Sequence, residues 1–418
     1  MRHISRRDVL KGALAVGGAA AGSRIAGPWI PEAEAALESS HFVHIFFHGG
    51  LNGLFAGCAQ QLMGKFAVTD TNIMPVGNGV FTDKGTFGTF PKFALDHWAG
   101  IGLRHGDANH TVPENRTGGG EMAIIRNGNN NYLTQLAAAM GGDSAFKAVL
   151  LGRRSADYGV HAPWPAVSGT SLQRVANLRD ALSAVGAETP NLQAPDRVRL
   201  ASTLEASEDI SARQIETNPG RLASLTASYQ SAVTSLRKPL PPPVAFAEVD
   251  SAYGLGGRSA IVPGGATSFA AQLAGAEIMI RAAGTNVIHL SDFEPMWDVD
   301  ADVDGPVTRD RLIGRNKAYS CIAPIRTFLE RMLNFPGKNV VVAISGEFVR
   351  ELKGHGHGAG VVAAVFGKNI KQGLSFPING LAQFAAGTPG SMGFWAGIAA
   401  ACRVPGTPFG TNPHSLLA

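Results

Sequence analysis

Cysteine is scarce: 418 residues hold only Cys58, Cys321 and Cys402. Small secreted scaffolds held by disulfides carry an even, dense set, so that class is excluded and all three read as buried core thiols. Charge is scarce as well, at 16% of residues against about 25% in average soluble proteins. No dense Lys/Arg block occurs, which leaves nucleic-acid binding without support. After residue 35 no apolar run reaches 18 residues, so that part shows no membrane-spanning helix. What is plentiful is hydrophobic content, 45%, and glycine, 52 residues. Together they point to a large core with many tight turns and close backbone approaches.

The first residues carry the sharpest signal. Ser5-Arg6-Arg7-Asp8-Val9-Leu10-Lys11 reads as a twin-arginine export signal, followed by a weakly apolar Ala/Gly stretch to about Gly22. Ala33-Glu34-Ala35 then suits a signal peptidase, placing the leader at residues 1–35 and the mature chain at 36–418. The leader holds five basic and three acidic residues, so the mature balance is 31 basic to 29 acidic. The expected location is periplasmic or exported.

The mature chain reads as one α/β unit. His41–Phe47, Asn286–Leu290, Asn339–Ile344 and Val361–Phe366 are β-rich runs. Asn130–Met140, Thr267–Ala282 and Arg311–Leu333 carry helical periodicity, the last with Pro324 as an expected kink. Alternation of this kind predicts three layers, a mainly parallel sheet with helices on both faces. Residues 171–243 are polar, poor in β runs and closed by Pro239, Pro241, Pro242 and Pro243, which reads as a helical insertion with a stiff exit. The Gly/Pro-rich stretch from Gly373 to Ala418 is expected to wrap the surface.

In parallel α/β sheets, sites form beyond the carboxyl ends of the strands. The first run is followed by His48-Gly49-Gly50-Leu51-Asn52-Gly53. After the second come Ser291-Asp292-Phe293-Glu294 and the acidic stretch Trp297–Gly305. The third ends in Ser345-Gly346-Glu347, with Gly354-His355-Gly356-His357-Gly358 soon after. Carboxylates and imidazoles gathered at one edge are the ingredients of a divalent-metal site. Within the acidic stretch, Asp300, Asp302, Asp304 and Gly305 match half of a calcium loop. Arg311 stands where the bidentate Glu belongs, so a solvated acidic loop is the level alternative.

These same motifs resemble the twin-arginine-exported, sulfatase-like family within the alkaline phosphatase superfamily. That family shows Gly-Gly-x-Asp-Gly-Leu, then Gly-Trp-Asp-Thr-His, then Ser-Glu-Phe-Gly-Arg and Thr-Asp-His-Gly. Here the matching order is Gly49-Gly50-Leu51-Asn52-Gly53-Leu54, Met296-Trp297-Asp298-Val299-Asp300, Gly346-Glu347-Phe348-Val349-Arg350 and Lys353-Gly354-His355-Gly356-His357-Gly358. Ala252-Tyr253-Gly254-Leu255 and Ser268–Leu273 resemble the run-up to the Asp-Thr-His motif. The resemblance implies an alkaline phosphatase/sulfatase-like fold and a metal held by Asn52, Asp298, Asp300, Glu347, His355 and His357. It implies a Ser or Thr nucleophile near the first strand, for which Thr111 and Thr117 are the candidates, with Arg116 gripping an anionic ester. Composition favours the plainer reading of that stretch, a turn whose threonines cap the backbone. His105 and His110 lie nearby; a lone His beside a turn is more often simply hydrogen-bonded, and His105 is not taken as a ligand.

Three positions depart from the family: Asn52 and Gly354 replace Asp, and Asp300 replaces His. Asn offers a neutral carbonyl in place of an anion, and Asp for His moves the site from zinc towards calcium or magnesium. Two expectations follow. One is an exported metal-binding hydrolase acting on phosphate or sulfate esters; the other is a non-catalytic envelope or periplasmic binding or assembly protein on the same fold.

Overall fold

Ser39–Phe47 (β1) is apolar on both faces, and from His41 to Phe47 every residue is buried, as in an interior strand of a parallel sheet. The computed structural model describes residues 38–47, 51, 53–63, 72–109, 119–127, 130–142, 144, 146–152, 172–178, 199, 202–203, 205–206, 244–261, 266–292, 321–350, 357–381 and 383–417. Seven strands join β1 in one sheet: Trp98–Leu103 (β2), Ala148–Leu151 (β3), Leu172–Val175 (β4), Val287–Asp292 (β5), Lys338–Gly346 (β6), Val361–Phe366 (β7) and Gly373–Ser375 (β8). Their order is β8-β2-β7-β6-β1-β5-β3-β4. β7 pairs antiparallel with both β6 and β2, while every other pairing in the sheet is parallel. The sheet is therefore mixed and mainly parallel, with β7 alone running against the rest.

Helices cover both faces. Gly120–Ile125 (α1), Tyr132–Met140 (α2), Phe246–Tyr253 (α3), Ala266–Ile278 (α4), Ile322–Met332 (α5) and Ser391–Ala401 (α6) are the main ones among the described residues. Alternation along β1 decides which side chain meets which layer. Val43, Ile45 and Phe47 share a core with Phe269 of α4 and Phe328 of α5. Phe42 and Phe46 share another with Met122 of α1, Leu133 of α2 and Trp395 of α6. The ring of Phe47 lies 5.9 Å from that of Phe269, and the ring of Phe42 lies 5.5 Å from that of Trp395 on the opposite side.

Local chemistry sets the helix ends. The Asn131 side chain accepts from the Leu133 and Thr134 N–H groups and caps α2. α4 runs on into a π turn, Met279–Ala283, which stops at Gly284 in the left-handed conformation. Pro324 produces no kink inside a helix from Arg311. It is the third residue of α5, where its missing N–H leaves no helical hydrogen bond unmade.

Two regional expectations are corrected. Leu172–Val175 belongs to the sheet as its edge strand β4, so the helical insertion does not begin at residue 171; most of residues 179–243 lie outside the described residues. The last region does more than wrap the surface. α6, SMGFWAGIAAA, carries no charge and buries Phe394, Trp395 and Ile398 completely. The Trp395 Nε1–H donates to the Ile124 carbonyl at 2.7 Å, tying α6 to α1. All three cysteines are buried, and burial pushes the Cys58 thiol up to about 12.

Candidate functional site

Register brings the polar strand ends together. Phe47 of β1 pairs with Asp292 of β5 on one side and Gly346 of β6 on the other, so the three strands finish side by side. β2 runs in the same direction and ends at Leu103, beside Val361 where the antiparallel β7 begins. The segments after β1, β2, β5 and β6, and the one before β7, therefore all start from one edge of the sheet.

At that edge the described residues form a tight hydrogen-bonded frame. The Asp107 N–H donates to His105 Nδ1 at 3.2 Å, which leaves His105 Nε2–H to donate to the Glu347 carbonyl at 2.8 Å. With both ring nitrogens engaged and burial pushing its pKa down to about 4, His105 is a neutral strut. One Asp107 oxygen accepts from the Asn109 N–H and side chain at 2.9 and 2.8 Å, and the other accepts from the Gly119 N–H at 3.0 Å. Partial burial pushes the Asp107 carboxyl up, but these hydrogen bonds outweigh it and hold it below its ordinary value. Asp107 thus pins both flanks of residues 110–118.

Gly120 lets this frame close. A Cβ at that position would meet the Glu347 carbonyl oxygen at 2.3 Å, so only glycine allows α1 to start against the end of β6. Glu347 itself is 1% exposed. His357 donates from Nδ1 to the Ala108 carbonyl at 2.9 Å and stacks on Phe348, with ring centroids 3.9 Å apart. Glu347 and His357, expected from sequence to serve the site, therefore both stand at this edge. Asn52, Thr111, Arg116, Thr117, Asp298, Asp300 and His355 lie outside the described residues, as does His110. Among the described residues, no three His, Cys, Asp or Glu side chains group to hold a metal ion.

One buried polar chain escaped the reading of the sequence. Ser345 Oγ lies 2.8 Å from His44 Nε2, His44 Nδ1 lies 3.0 Å from His289 Nδ1, and His289 Nε2 lies 2.7 Å from Glu121 Oε1. All four residues are buried. The available signal was a histidine in the middle of each of two apolar strands, HFVHIFF and VIHLSD.

The fold and this edge define an α/β protein with a mixed, mainly parallel sheet and a polar frame at the carboxyl ends of its central strands. Residues 3–23 match the family model of the TAT (twin-arginine translocation) pathway signal sequence, and the chain is exported by that route. No curated protein and no solved structure matches the chain. Among the described residues, no helix is long and apolar enough to cross a membrane.

Proposed function

We propose that this chain is an exported, metal-binding, hydrolase-like protein of the alkaline phosphatase/sulfatase kind, whose site takes a phosphate or sulfate ester. The observation that carries the reading is the register of β1, β5 and β6. Their ends, Phe47, Asp292 and Gly346, lie side by side, so the segments bearing Asn52, Asp298, Asp300 and Glu347 leave from neighbouring points. His357 adds support, because an imidazole held by an Nδ1–H bond to a backbone carbonyl presents Nε2 in a fixed direction, as metal-binding rings do.

In this reading Glu347, His357, Asp298, Asp300, His355 and Asn52 hold one divalent cation: calcium, magnesium or zinc. Bound there, a divalent cation would supply neutralising charge to these carboxylates and Lewis-acid polarisation of an ester oxygen. Arg116 grips the anionic group, and Thr111 or Thr117 supplies the hydroxyl. Asn52, Asp300 and Gly354 stand where the resembled family has stronger or different ligands. These substitutions favour a second reading, in which the same fold binds a ligand or assembles in the envelope without turnover.

Elemental analysis of the purified mature protein, with aryl phosphate and aryl sulfate assays, tests both. About one equivalent of divalent cation is expected, the minimum for this ligand set. His355→Ala lowers the occupancy, and Asp298→Asn lowers it further because it removes a formal charge. Turnover abolished by Thr111→Ala or Thr117→Ala establishes the hydrolase; retained metal without turnover establishes the non-catalytic form. Metal-free protein whose thermal stability ignores chelation removes the metal site.

A further inference from the structure

His44 of β1 and His289 of β5 are direct neighbours in the sheet register. Both rings are fully buried in a layer that is otherwise apolar around them. The His44 ring lies 6.2 Å from Phe42, 5.8 Å from Phe46 and 6.4 Å from Trp395, and His289 lies 6.0 Å from Phe46. An imidazole in such surroundings is costly unless its nitrogens are bonded. Here they are bonded in series, and the series has two ends of different character. One end is the carboxylate of Glu121 in the first turn of α1. The other is the hydroxyl of Ser345, the penultimate residue of β6, beside Glu347 at the sheet's carboxyl edge.

We propose that Ser345, His44, His289 and Glu121 form a proton relay that stores one proton inside the sheet and returns it at the edge where Glu347 stands. Its two states follow from donor–acceptor logic. Without the extra proton, Ser345 O–H donates to His44 Nε2, His44 Nδ1–H donates to His289 Nδ1, and His289 Nε2–H donates to the Glu121 carboxylate. A proton handed to Ser345 Oγ at the end of β6 drives two further transfers. The serine O–H proton passes to His44 Nε2, the His44 Nδ1 proton passes to His289 Nδ1, and Ser345 keeps the incoming proton. Each transfer breaks one bond to hydrogen and makes one. The result is a His289 imidazolium paired with Glu121, a His44 that is still neutral, and a Ser345 hydroxyl that now donates outward. Release reverses every step.

The surroundings favour this shuttling over a charge resting on His44. Burial holds the His44 pKa well below 6.5, repulsion from a charged His289 lowers it further, and Glu121 partly offsets both. Of the described elements packed here, β5 contributes His289, β6 contributes Ser345, α1 contributes Glu121 and α2 contributes Tyr132, while α6 has no titratable side chain. The relay stands whether or not the edge turns over an ester.

Nitrogen NMR of the mature protein labelled with 15N-histidine tests it. His44 is expected to change tautomer without becoming charged, moving its proton from Nδ1 to Nε2, at the same midpoint at which His289 becomes doubly protonated. Glu121→Gln removes the charge that draws the proton in, so the midpoint falls by about 1 pH unit or more. Four results overturn the relay: one protonation state kept at every pH at which the protein is folded, a His44 that charges, a His44 Nε2–H beside a neutral His289, or a folded Glu121→Gln protein with an unmoved midpoint.

Discussion

Gly120→Ala probes the closest contact at the candidate site. The added methyl meets three atoms of Glu347, the carbonyl oxygen at 2.3 Å, the carbonyl carbon at 2.8 Å and Cβ at 2.9 Å. Two of the three are backbone, so no rotamer change relieves the clash. The start of α1 and the end of β6 must part by about 1 Å to restore ordinary contact. Such overpacking costs about 1–3 kcal/mol, and the stretched His105–Glu347 bond adds about 0.5–1.5 kcal/mol. Against this, alanine in place of glycine in a helix returns up to about 1 kcal/mol. The net loss is about 2 kcal/mol. Spread over the unit Ser39–Ala418, at about 2.1 cal/mol/K per residue, it lowers Tm by about 2–3 °C. Differential scanning calorimetry reads the shift directly. Gly390→Ala is the control, since its Cβ would meet only the Arg104 carbonyl at 3.5 Å, and it should cost less. If Glu347 holds a cation, Gly120→Ala also lowers metal retention about 10-fold, because the residue that presents the carboxylate has moved. An unchanged Tm together with unchanged metal content would refute the close approach of α1 and β6.

A second perturbation targets the buried Glu277 carboxylate, which accepts from Tyr253 Oη at 2.9 Å, Arg281 at 2.6 Å and Arg331 at 2.6 and 2.8 Å. Glu277→Gln leaves two guanidinium groups sharing the more exposed Glu248, at a cost of about 3 kcal/mol in urea denaturation. Burial pushes the Glu277 pKa up, but Arg331, Arg281 and Tyr253 hold it below the ordinary 4.5. Its stabilisation is therefore complete above pH 4.5 and fades as pH falls through the lower folded value, so the gap between wild type and variant narrows in acid. All three thiols should resist a disulfide reagent in the native protein and react only on unfolding, because Cys58, Cys321 and Cys402 are buried; rapid labelling of the native state would contradict their placement. Changing Arg6 and Arg7 together to Lys keeps the charge but removes the paired guanidinium groups. Uncleaved precursor should then accumulate in the cytoplasm, and normal export of that double variant would argue against recognition through the arginine pair.

The elements and the export route were legible in the sequence because both are local signals. The Arg6-Arg7 pair, the apolar run of β1, the helical period before Gly284 and the Pro336-Gly337 turn before β6 each depend on neighbours a few residues apart. The short or interrupted strands β2, β3, β4 and β8 were missed because glycine-rich WAGIGL and four-residue AVLL carry too little pattern to separate strand from helix. At the site, Glu347 and His357 could be singled out because they sit in motifs with a recognisable order. The neutral strut His105 and the clamp Asp107 gain their roles only from partners in space.

Strand direction and the buried relay belong to the tertiary structure alone. The wholly apolar run VVAAVF carries no signal of direction, and β7 runs antiparallel because its partners β6 and β2 place it so. His44 meets Ser345 across 301 residues, and His289 meets Glu121 across 168. No periodicity in a chain encodes a contact at such a distance. What the sequence determined by itself was which segments are apolar, where they stop and where the chain is sent. Which polar groups share the interior was decided only when β1, from one end of the chain, closed the middle of the sheet between β5 and β6, which both lie far along the sequence.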